Sequence, residues 1–110
     1  MFYINNIKWK INFVPSRFPL LQRLNGEFTI GACDNLTRTI YISDSIGGKL
    51  LKKVLCHEIV HAAIFSYGVN LTIEQEELIA DLISTYGEEI INVTNRIFLK
   101  LDQIRTDTEY

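Results

Sequence analysis

The chain has 110 residues, 47% of them apolar, and a formal charge of −2 from 11 basic and 13 acidic side chains. This is the size and composition of one globular domain, residues 1–110, built on a single hydrophobic core, and it excludes a disordered chain. The near-neutral balance argues against a nucleic-acid partner, and no apolar run reaches membrane-spanning length, so no membrane partner is expected.

The N-terminal stretch MFYINNIKWK lacks a charged region followed by an apolar run, so it does not read as a targeting segment. Ile7, Trp9, Ile11 and Phe13 alternate with Lys8, Lys10 and Asn12, which predicts a half-buried strand ended by Pro15. Residues 16–25 read as a short helix or a loop around Pro19. The runs 28–33 and 37–42 are rich in β-formers and flank Asp34-Asn35-Leu36, a hairpin signature. Gly31 inside the first run suggests a bulge or a close backbone approach. Cys33 and Cys56 have no CxxC partner, so both are expected as reduced thiols in a cytoplasmic protein.

Ser43-Asp44-Ser45 supplies N-cap candidates for a helix running to about Tyr67, with Gly68 as its stop. Leu50, Val54, His57, His61, Ile64 and Phe65 share one quadrant of that helix, which predicts that they form its buried stripe. Lys49, Lys52 and Lys53 read as a solvated cluster on the opposite face. Thr72 caps a second helix with Glu74, Gln75 and Glu76 in its first turn. Ile79, Ile83, Tyr86, Ile90, Val93, Ile97, Leu101 and Ile104 carry the helical period through Gly87, as one long helix or two joined by a kink. Residues 106–110 read as a frayed polar tail.

The two histidines of the chain fall in His57-Glu58-Ile59-Val60-His61, an HExxH motif. Residues i and i+4 of a helix stand one above the other, so both imidazoles can grip one Zn2+ ion. Glu58, beside the first histidine, is then placed to deprotonate the water that the zinc activates. The pattern therefore predicts a zinc-dependent hydrolase. Catalytic zinc takes a third protein ligand, and with no further histidine it must be a carboxylate or a cysteine. Glu77, with Asp81 one helical turn on, is the favoured choice; Asp81 would orient a zinc-bound histidine. Glu74 and Glu76 are the alternatives, and Cys56 points away from the histidines.

The strings Gly31-Ala32-Cys33-Asp34, Arg38 to Ile42 and Val54 to Ala62, followed by Glu77 to Asp81 with Tyr86-Gly87, resemble small bacterial and phage zinc metallopeptidases of the ImmA/IrrE type. The resemblance covers about residues 26–92. It implies a minimal zincin-like α+β domain: a small antiparallel sheet on the HExxH helix, and a second, C-terminal helix bringing the acidic ligand. It also implies a peptide or protein substrate held along the sheet's edge strand, and relatives of this type act on repressor proteins of mobile elements. Unlike in the larger members, no helix-turn-helix is expected before the domain and no sensor domain after it. Tyr41, Tyr67 and Tyr86 are oxyanion candidates by residue type, with core packing the better reading for Tyr86. The competing reading is a non-catalytic binding or regulatory module in which zinc staples the fold. Nothing in the pattern sets an oligomeric state.

Overall fold

The computed structural model describes residues 1–108. Two strands, β1 (Phe2–Ile4) and β2 (Ile7–Val14), form an N-terminal hairpin. Its two-residue loop is Asn5-Asn6, both at positive φ (49° and 62°), as a tight primed turn requires. Asparagine tolerates that region, so this pair was a legible turn signal. A 3₁₀ turn, Pro19–Leu21, follows. Then come β3 (Gly31–Asp34), β4 (Thr39–Ser43), the helix α1 (Gly48–Ser66) and the helix α2 (Ile73–Thr108).

The class is α+β, but the sheet is mixed and not antiparallel. Its order is β1-β2-β4-β3, and β2 pairs with β4 in parallel, Ile11 opposite Ile40 and Phe13 opposite Ile42. The segment between Val14 and Gly31 carries the chain across to the far edge, and the β3–β4 hairpin then returns β4 alongside β2 in the same direction. Strand β3 starts at Gly31, three residues later than the β-rich run; Phe28 instead forms an isolated bridge with Gln22. At the end of β2 the burial departs from the expected alternation: Val14 is buried and Phe13 is exposed, and the Val14 carbonyl accepts from Asp44 N–H at 2.9 Å.

Trp9, Ile40, Ile42 and Ala62 form the centre of the core, where the sheet meets α1. Central strand β4 is covered on both sides, since Tyr41 on its other face packs on Phe18 at 5.5 Å between ring centroids. The Trp9 indole N–H donates to Ser66 Oγ at 2.8 Å in the buried interior, and Asn5 Nδ2 donates to the Ser66 carbonyl at 3.0 Å. These two bonds pin the end of α1 to the first hairpin.

Helix α1 begins at Gly48 (φ 59°), with Gly47 as its extended cap, and not at the 43–45 cluster. Ser43 Oγ is spent on Ser45 instead. Its end is a Schellman turn through Gly68 (φ 63°), closed by Val69 N–H on the Ile64 carbonyl at 3.0 Å. The most buried face of α1 is Glu58, Ala62 and Ser66. The histidine stripe lies beside it, half-buried, with Leu50 and Phe65 exposed. The expected lysine face also divides: Lys52 bonds Glu88 of α2 at 2.9 Å, and Lys53, one turn before His57, lines the same cleft as the histidine.

Helix α2 opens on a capping box, Thr72 Oγ1 accepting from Gln75 N–H at 3.1 Å and Gln75 Oε1 from Thr72 N–H at 3.0 Å. It runs unbroken through Gly87 to Thr108, so the backbone of residues 106–108 is helical where a frayed tail was expected; the remainder of that tail, Glu109 and Tyr110, lies outside the described residues. Among the described residues no helix is long and apolar enough to cross a membrane.

Candidate metal centre

Helix α1 presents His57 and His61 on one face, and the first two turns of α2 lie against them. His57 Nε2 is 3.1 Å from Glu77 Oε2, His61 Nε2 is 3.0 Å from Glu77 Oε1, and the two Nε2 atoms are 3.2 Å apart. The two Nε2 atoms thus face the Glu77 carboxylate, each against a different oxygen, and His57, His61 and Glu77 form a group that could hold a metal ion. A tetrahedral ion with bonds of about 2.0–2.2 Å keeps its ligand atoms roughly 3.3–3.6 Å apart, slightly wider than the 3.0–3.2 Å found here.

Each imidazole has its other nitrogen on a carboxylate. His57 Nδ1 lies 3.1 Å from Asp81 Oδ1, the partner anticipated from the Glu77/Asp81 spacing. His61 Nδ1 lies 2.6 Å from Glu76 Oε1. The sequence offered Glu76 only as an alternative ligand; it instead holds the second histidine, as Asp81 holds the first. A proton on each Nδ1 leaves both Nε2 lone pairs facing Glu77, the tautomer a metal needs. Two imidazoles among four acidic side chains, Glu58, Glu76, Glu77 and Asp81, make a donor set suited to a divalent cation.

Glu58 sits on the core side of α1, 7% exposed, facing β3. Burial raises its carboxyl above the usual range, and the histidine charges oppose that shift. The close neighbour is Gly31: a Cβ there would stand 2.7 Å from Val54 Cγ1 and 3.2 Å from Glu58 Cγ. The glycine marks a close approach of β3 to α1, which is what lets the strand run beside the site.

The metal group opens on a cleft of about 910 Å³, walled by residues 29–33 of the β3 side, by α1 and by the start of α2. Arg23, Cys33, Asn35 and Lys53 also line it, and none of these was singled out from the sequence for this site. Arg23, Cys33 and Asn35 lie far from the motif and left no spacing signal, whereas Lys53 stands one helical turn before His57 on α1, against its expected place on the opposite, solvated face. Burial and the nearby Glu58, Glu76 and Asp34 carboxylates push the Cys33 thiol up to about 12. Tyr41, Tyr67 and Tyr86 are not among the cleft's lining residues. Tyr41 is stacked on Phe18 behind the sheet, Tyr67 caps α1, and Tyr86 is an exposed residue of α2 and not a core one. Glu74 takes no part in the metal group, nor does Cys56.

Comparison with protein-family models, with curated proteins and with solved structures finds no match to this chain.

Proposed function

We propose that this chain is a zinc-dependent metallopeptidase of minimal zincin-like build, as its resemblance to the ImmA/IrrE type implies. The observation that carries the proposal is the pairing of a His57/His61/Glu77 group with a buried carboxylate, Glu58, next to it in the same cleft. Two imidazoles and one carboxylate, each imidazole backed by its own carboxylate, are a donor set suited to catalytic Zn2+. When bound, the metal polarises a carbonyl and makes a water more acidic.

The chain's own residues supply the rest. Glu58 takes a proton from the water as its oxygen attacks the scissile carbonyl carbon, and gives a proton to the departing amine as the C–N bond breaks. Asp81 and Glu76 keep His57 and His61 in the ligating tautomer. Strand β3 pairs only with β4, so its free edge can take an extended peptide as an added strand. A protein substrate, such as a regulatory protein of a mobile element, fits that mode of binding. A zinc-stapled binding module would make the same metal group but has no use for a buried base beside it.

The test is a pair of measurements on wild type and Glu58→Gln. Wild type should bind one zinc per chain and cleave a denatured protein or peptide library. Glu58→Gln should keep zinc and melting temperature while cleavage falls by at least about 10²-fold. Zinc binding with no cleavage of any substrate would move the assignment to the module, and absence of zinc after loading would end both readings.

A further inference from the structure

Helix α2 has 36 residues, about 54 Å of helix, while α1 has 19. Lys52 near the start of α1 bonds Glu88 of α2, so the final turns of α2 run on beyond α1. Along that length isoleucine recurs every seven residues, at Ile83, Ile90, Ile97 and Ile104, each 41–58% exposed. Tyr86 and Val93 fill the first two intermediate positions, Lys100 stands at the third, and Ile79 precedes them one turn before Ile83. This is a coiled-coil seam without a partner strand. It lies about 100° around the helix from the Ala80 face that meets α1, on the flank opposite Glu77 and Asp81.

We propose that the occupant of this seam is a second copy of the same chain, paired antiparallel along Ile79–Ile104. The seam is its own complement when reversed. With the two-fold between Ile91 and Asn92, Ile90 meets Val93, Tyr86 meets Ile97, Ile79 meets Ile104, and the stem of Lys100 covers Ile83. The same register sets Glu89 of each copy beside Arg96 of the other, giving two opposite-charge pairs. A parallel pair would instead place Lys100 against Lys100 and leave Glu89 and Arg96 unmatched. The exposed parts of Ile83, Tyr86, Ile90, Ile97, Leu101 and Ile104 amount to roughly 600 Å² per copy, and about 1,200 Å² for two copies is the lower bound of stable interfaces. A solvent-facing apolar stripe of that size marks an interaction surface.

Sedimentation equilibrium of the full chain, zinc-loaded, tests this. At about 100 µM the mass should approach twice 12.7 kDa. Ile90→Asp/Ile97→Asp should sediment as a monomer while keeping wild-type helicity and zinc binding, since both side chains face solvent in the single chain. Glu89→Arg and Arg96→Glu should each weaken the dimer roughly tenfold, and together restore it. A wild-type monomer at that concentration, or a dimer indifferent to the two aspartates, overturns the proposal. A dimer lost with the aspartates but not restored by the charge exchange overturns the antiparallel register.

Discussion

Glu76 Oε1 stands 2.6 Å from His61 Nδ1, across the contact between two helices, while the next residue, Glu77, reaches the far nitrogen of the same ring at 3.0 Å. One imidazole is thus held at both ends by consecutive glutamates. The two carboxylates have different work, and mutation separates them. On the proposed reading Glu77→Ala removes a ligand and should abolish tight zinc binding. Glu76→Ala and Asp81→Asn each release one histidine from its orienting partner and should lower affinity by about 10–100-fold. Competition titration against a chromogenic chelator reads all three. Equal, near-complete losses for Glu76 and Glu77 would make Glu76 a ligand.

Gly31 tests how closely the strand is pressed on the helix. A methyl group there meets Val54 at 2.7 Å, so Gly31→Ala should destabilise the domain by about 1–3 kcal/mol. Val54→Ala opens the space, and the double variant should be more stable than the sum of the single losses predicts, by urea denaturation. Additive losses would show that the crowding is relieved elsewhere.

Ser66 is the acceptor for the buried Trp9 N–H. Ser66→Ala leaves that donor unpaired in the core and should cost about 1–3 kcal/mol in thermal or urea unfolding, without altering zinc content.

Cys33 carries a pH signature. Its thiol is raised to about 12 in the fold, whereas an unfolded cysteine titrates near 8.5. The unfolded chain therefore loses the proton first. The stability linked to this group is complete below about pH 8.5 and drains away as the pH climbs toward 12. In metal-free Cys56→Ser protein at pH 8, alkylation of Cys33 should be at least about tenfold slower than in urea-unfolded chain. Equal rates would place the thiol in water.

Much of the site could be read from the residues alone because its spacing is local. His57 and His61 belong to one helix turn, Glu77 and Asp81 to another, and the i, i+4 rule aligns each pair. Thr72, Gly68 and Gly31 were legible for the same kind of reason, each a single residue with a strong backbone or capping preference. What escaped depends on how elements dock. Glu76 looked like a spare ligand because nothing in a helical wheel says which neighbour faces the second histidine. Arg23 and Asn35 reach the cleft only once separate segments meet, while Lys53, one turn before His57, was legible by spacing but expected on the wrong face. The parallel β2–β4 pairing likewise leaves no local trace, since either direction buries Trp9, Ile40 and Ile42 equally well. The seam on α2 was visible as a period, yet the period does not say that α1 stops short of it.

The short connection between Tyr67 and Thr72 has a kinetic consequence. The pairs that build the metal group are separated by 15 residues, His61 to Glu76, and by 20, His57 to Glu77. Parallel register partners on β2 and β4, such as Lys10 and Thr39, lie somewhat farther apart along the chain, and closing the longer loop carries the slightly larger entropy cost. The contact between α1 and the start of α2 therefore closes a shorter loop than the parallel β2–β4 pair does. A metal added during refolding should speed the step in which α2 docks on α1 and leave the slower sheet closure unchanged, a separation that stopped-flow fluorescence of Trp9 against far-ultraviolet circular dichroism would resolve.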